Sequence, residues 1–137
     1  EAPATRFVAD FLGAVNFFAG RVEAIEGRVH RVASAEAGAT LRVARDVALA
    51  AGREVVVAIR PEKIAIAAAG DTAAANHLAG VVEAVSYRGE ASTYRVALAS
   101  GKLVRVTAPN IAPDARLAVG TRVTLAWSAE AALVLEE

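Results

Sequence analysis

The chain has 137 residues, no cysteine, and 15 basic against 15 acidic side chains. That length suits one domain or two tightly fused small ones, and the balanced charge supplies no global field for a phosphate backbone, which argues against nucleic acid as a partner. Without cysteine there is neither a disulfide scaffold nor a thiolate metal site, and no apolar run reaches the roughly 18 to 20 residues that a membrane-spanning helix needs.

Residues 3–13 (P-A-T-R-F-V-A-D-F-L-G) predict a short helix, with Pro3 near its start, Phe7 and Phe11 one turn apart, Val8 and Leu12 beside them and Gly13 as the stop. Its apolar face is expected to lie against a domain upstream, because a helix this short is marginal without a partner. The absence of methionine carries the same expectation, that this chain continues a longer one.

Next comes an internal repeat. Residues 16–25 read N-F-F-A-G-R-V-E-A-I and residues 76–85 read N-H-L-A-G-V-V-E-A-V, so Asn-x-x-Ala-Gly-x-Val-Glu-Ala-apolar occurs twice. Each copy also closes alike: G-R-E-V-V-V-A-I from Gly52 and G-T-R-V-T-L-A-W from Gly120 each lead to a glutamate, Glu62 and Glu130. One small β unit built twice is the architecture this predicts.

Alternation of period two supports strands throughout. Val55, Val57 and Ile59 alternate with Glu54, Val56 and Ala58; Tyr94, Val96 and Leu98 with Thr93, Arg95 and Ala97; Val123, Leu125 and Trp127 with Arg122, Thr124 and Ala126. Turn signals at Glu26-Gly27, Ala51-Gly52, Ser100-Gly101 and Val119-Gly120 give the short, even spacing of small barrels. Residues 67–75 (A-A-A-G-D-T-A-A-A) read as a surface connection between the halves. The expected division is a helical linker at 1–14, a first OB-like β unit at 15–70 and a second at 71–137.

Motifs that carry chemistry are missing. A phosphate-cradling loop ends in Gly-Lys-Ser/Thr, but the only Gly-Lys here is Gly101-Lys102, followed by Leu103, and reads as a hairpin turn. No Gly-x-Ser-x-Gly elbow, His-Glu-x-x-His helix or EF-hand loop occurs. His30 and His77 stand apart and are expected at surface or loop positions rather than on a metal. The chain is therefore not expected to be an enzyme, and no catalytic, metal or cofactor-binding residue is assigned.

One run is dense enough to carry recognition: V-A-I-R-P-E-K-I at 57–64, where Pro61 stops an apolar strand and Arg60, Glu62 and Lys63 cluster around it. On spacing alone this is an ordinary strand end with solvated charges. Together with T-R-F-V-A-D-F-L-G-A-V-N-F at 5–17 and Y-R-G-E-A-S-T-Y at 87–94, however, it resembles the C-terminal regulatory region of ATP-binding subunits of polyamine (putrescine or spermidine) ABC importers, over essentially the whole chain. The resemblance implies a mainly β fold of tandem OB-like, TOBE-type barrels with a short N-terminal helix. It implies a regulatory or dimerisation role, with ATP and Mg bound by an upstream nucleotide-binding domain and no cofactor here. The partners it implies are that domain, a second copy of the subunit and the integral-membrane permease subunits, which places the protein in the cytoplasm at the inner face of the cell membrane. Carried over by position, Arg60, Glu62, Lys63, Tyr87 and Tyr94 are the interface or regulatory candidates, and Pro61, Gly89, Gly101 and Trp127 the structural ones.

Another reading is a small-ligand sensor. Tyr87, Tyr94 and Trp127 with Glu83 and Glu90 could form an aromatic and acidic pocket for a diamine. A molybdate-like oxyanion would instead need backbone amides and hydroxyls, with Ser86, Ser92 and Thr93 as candidates.

Overall fold

Alternating apolar residues at 93–98 and 122–127 form strands with one face turned inward, whereas the strand at 54–59 is buried on both faces from Val55 to Ile59. The computed structural model describes residues 15–110 and 117–136. They form β1 (Asn16–Glu26), β2 (Val29–Ser34), β3 (Ala39–Ala44), β4 (Glu54–Ile59), β5 (Ala65–Ala68), β6 (Asn76–Arg88), β7 (Ala91–Leu98), β8 (Leu103–Pro109), β9 (Arg122–Trp127) and β10 (Leu133–Glu136). A single turn of 3-10 helix, Pro61–Lys63, joins β4 to β5. The helix expected at 3–13 lies outside the described residues.

The strands make two five-stranded sheets, ordered β10-β4-β1-β2-β3 and β5-β9-β6-β7-β8. The last strand of each half crosses into the other half's sheet: β5 pairs with β9, and β10 pairs with β4. The alanine run at 67–75 is thus more than a connection, since Ala67 and Ala68 belong to β5 and lie opposite Thr124 and Val123. Alanine carries almost no apolar pattern, so the end of a strand that Ile66 anchors to the core was hidden there.

The repeat motif has a physical reason at each position. Val22 and Val82 are buried in the core, and directly after each the ladder slips by one residue, between Val22 and Ala24 and between Val82 and Ala84. This β-bulge bends β1 and β6 sharply, which lets a single long strand serve two walls of a barrel. Gly52 and Gly120, at φ of 89° and 93°, donate their N–H to the carbonyls of Val22 and Val82 at 2.7 and 2.8 Å.

Gly20 and Gly80 are required by close approach instead. A Cβ on Gly80 would sit 2.5 Å from Val96 Cγ1 and 2.9 Å from the Ala97 carbonyl oxygen, and one on Gly20 would meet Val32 and Ala33 in the same way. Gly80→Ala is expected to cost about 1–3 kcal/mol through overpacking, read as a lower urea midpoint at unchanged m-value.

The repeated asparagines close the barrels. Asn16 donates from Nδ2 to the Arg105 carbonyl at 2.8 Å and accepts the Arg105 N–H on Oδ1 at 2.9 Å. Asn76 does the same to Arg42, at 2.9 and 2.7 Å. Each side-chain amide stands in for the peptide of a missing neighbour strand, satisfying an edge residue that belongs to the opposite half. One core runs through both sheets, and Phe18 of β1 stacks on Trp127 of β9 at 6.2 Å between ring centroids.

His30 is a correction to the sequence reading, which placed it at the surface or in a loop. It is fully buried in β2, with Nδ1–H donating to the Arg28 carbonyl at 3.3 Å and Nε2 accepting the Leu49 N–H at 3.1 Å. Tyr94 holds the matching place in the second half, where its hydroxyl accepts the Leu117 N–H at 3.2 Å. His77 is exposed on β6.

Candidate functional site

Strand β4 ends at Ile59 because Pro61 has no N–H with which to continue the ladder. The chain turns once: Lys63 N–H donates to the Arg60 carbonyl at 3.0 Å and Ile64 N–H to the Pro61 carbonyl at 3.4 Å. Pro61 and Ile64 are buried, which anchors the turn and leaves Arg60, Glu62 and Lys63 projecting outward. Arg60 Nη1 lies 4.0 Å from Glu62 Oε2 in the same chain, with both side chains more than half exposed. An ion pair so long and so solvated contributes little, so these charges are held in place without being committed to each other.

Beside the corner runs an open groove of about 430 Å³, with Glu62, Lys63 and Ile66 on one side and Tyr94, Thr107 and Pro109 on the other. Tyr94 is therefore brought to the corner, although its ring is buried and its hydroxyl engaged. Tyr87 is half exposed near the end of β6. Gly89 and Gly101 make the β6–β7 and β7–β8 turns at positive φ. Trp127 is interior and lies opposite Asn76 at the start of β6. Of the three rings considered for a diamine pocket, Trp127 and Tyr87 lie toward opposite ends of β6, whereas Tyr94 faces Val85, two residues before Tyr87.

The matching corner of the second half, residues 128–130, is tied down within the chain. The Ala129 carbonyl accepts the Ala44 N–H at 2.8 Å, and Glu130 pairs with Arg28 at 3.1 Å, while Arg28 also holds Asp46 at 2.8 Å. Hydrogen bonding to Asp46, and next to Glu130, raises the Arg28 pKa further above its ordinary value. Sequence reasoning passed over Arg28, although Glu130 was visible as the repeat partner of Glu62. The contrast singles out 60–63 as the corner left open. Among the described residues no helix is long and apolar enough to cross a membrane, and no group of histidine, aspartate and glutamate could hold a metal ion.

Paired five-stranded barrels with exchanged strands and one open charged corner define a tandem OB-like barrel protein. A family model of the TOBE domain matches residues 57–135, more than half of the chain, and the chain belongs to the TOBE domain family. It is 36% identical to the spermidine/putrescine import ATP-binding protein PotA of Rubrobacter xylanophilus over 98% of its length, and 38% identical to PotA 1 of Pseudomonas aeruginosa over 98%. The chain spans about a third of these relatives, 35% of each. Among solved structures it is similar to the cytoplasmic molybdate-binding protein ModG with molybdate bound, at a TM-score of 0.78 and 21% identity, covering 89% of this chain and 96% of that one. At that identity the likeness is one of fold.

Proposed function

We propose that this chain is the C-terminal regulatory and dimerisation region of the ATP-binding subunit of an ABC importer for putrescine or another polyamine. The observation that carries this reading is coverage: the PotA relatives match 98% of the chain, so the likeness extends through both halves and beyond the TOBE segment. In this reading ATP and Mg are held by a nucleotide-binding domain upstream. The barrel pair works as a surface, joining two subunits beside the permease at the cytoplasmic face of the membrane. The corner at Arg60, Glu62 and Lys63 supports the reading, because its charges are exposed beside Pro61 and, among the described residues, paired only through the long Arg60–Glu62 contact.

Arg60→Ala and Glu62→Ala in the whole subunit are expected to lower polyamine uptake by about tenfold, the effect of truncating an interface contact worth ~1.4 kcal/mol. Basal ATP hydrolysis should stay unchanged, since in this reading the nucleotide is held by the upstream domain. Uptake assays in membrane vesicles, with hydrolysis measured in parallel, check this. Unchanged uptake in both variants would count against the proposal.

A further inference from the structure

Both halves carry an arginine pair on the outer face of the sheet, and among the described residues only one of the pairs meets a carboxylate. Arg31 lies opposite Arg42 on β2 and β3, and Arg95 lies opposite Arg105 on β7 and β8. The backbone groups of Arg42 and Arg105 are turned to Asn76 and Asn16. Both are therefore non-hydrogen-bonded pairs, the closer kind, with about 4.5 Å between Cα atoms. Like charges placed directly opposite each other destabilise a sheet.

In the first half the charge is met within the chain: Glu26 Oε2 lies 3.7 Å from Arg31 Nη1. The register shows what stands at that place in the second half. Ala24 faces Arg31 and Glu26 follows two residues later; Ala84 faces Arg95 and Ser86 follows two residues later, opposite Thr93. The carboxylate has become a hydroxyl, and neither Arg95 nor Arg105 has an ion pair among the described residues. Ser86, Thr93, Arg95 and Arg105 instead line a shallow hollow of about 150 Å³ with Ala84 and Val85.

We propose that this hollow on β6, β7 and β8 binds a phosphate group. The polar residues that line it are two arginines, a serine and a threonine, with no aspartate or glutamate among them. That set outnumbers the acceptors of a single carboxylate and suits a tetrahedral dianion, which also offsets both arginine charges. The space is well below the roughly 300 Å³ at which pockets for drug-sized ligands begin, so it suits the phosphate group itself and not a larger ligand. A free ion and a lipid headgroup both offer this group, and the chemistry at the four side chains is the same.

Titration with inorganic phosphate at constant ionic strength, followed through the amide signals of residues 84–86, 93–95 and 105, tests this. Saturable shifts are expected there, with affinity at least about tenfold weaker in Arg95→Gln and in Arg105→Gln. Ser86→Glu supplies the carboxylate that the first half already has, and should abolish the response while raising the melting temperature in phosphate-free buffer. Co-sedimentation with phosphatidylglycerol vesicles separates the sources. Vesicle binding that is lost in Arg95→Gln and competed by phosphate assigns the site to a headgroup, whereas phosphate binding without vesicle binding assigns it to the free ion. No response to either probe, or a response that survives Arg95→Gln and Ser86→Glu unchanged, overturns the proposal.

Discussion

Divided between residues 70 and 71, the chain is expected to yield two pieces that are unfolded alone and fold when mixed. Each half gives its last strand to the other. The piece 1–70 would lose β10 from the edge of β4, and with it the contact of Leu135 with Val56 and Ala58 on the second face of that strand. The piece 71–137 would lose β5 from β9 and Phe18 from the face of Trp127. Pieces of about 60 to 70 residues are marginal even with a complete core. The losses here include a strand, an asparagine clamp and half of a shared core, more than a typical total stability of roughly 5–15 kcal/mol can absorb. Circular dichroism of each piece and of the equimolar mixture checks this, with sedimentation to give the stoichiometry. A folded, monomeric single piece would show that the halves are independent and the exchange incidental.

Replacing either repeat asparagine by alanine is expected to destabilise the chain by about 2–4 kcal/mol, because it leaves a backbone N–H and a backbone C=O unpaired at once, each costing roughly 1–3 kcal/mol when buried. Asn76 is 2% exposed and Asn16 7%, so water has poor access to either clamp. Asn76→Asp should be nearly as damaging as Asn76→Ala. It retains an oxygen for the Arg42 N–H but turns a second oxygen toward the Arg42 carbonyl, where the native Nδ2–H donates at 2.9 Å. The loss should appear in urea unfolding monitored by Trp127 fluorescence, with the two single variants falling together because the clamps are equivalent. If both alanine variants lose less than about 1 kcal/mol, solvent is serving the strand edges and the asparagines are not what closes the barrels.

Much of the architecture was legible in the residue order. The doubled motif announced two copies of one β unit, and the alternation around Val96 and Leu125 marked the inward faces correctly, because side chains on a strand alternate between core and solvent with a period of two. The glycines at 52 and 120 marked the turns, since positive φ is easy only for glycine. The corner at Arg60-Pro61-Glu62-Lys63 could be located as well, because proline ends a strand whatever surrounds it. Alternation was less informative for β4 itself, where Val56 and Ala58 are buried along with Val55, Val57 and Ile59.

Other features are absent from any local pattern. Hydrogen bonding between strands is made by backbone groups that every residue carries, so nothing in the side chains of β5 or β10 shows that each crosses to the opposite sheet. His30 could not be recognised as interior until β2 and the segment at Leu49 came together to satisfy both ring nitrogens. Arg95 and Arg105 lie ten positions apart in the chain, with nothing to link them until β7 and β8 pair. Residue order settled which side of each strand faces the core, because that depends on each side chain alone. The closing of two barrels into one body, the open corner at 60–63 and the arginine pair on β7 and β8 were settled only by tertiary structure, because each depends on which strand edges meet.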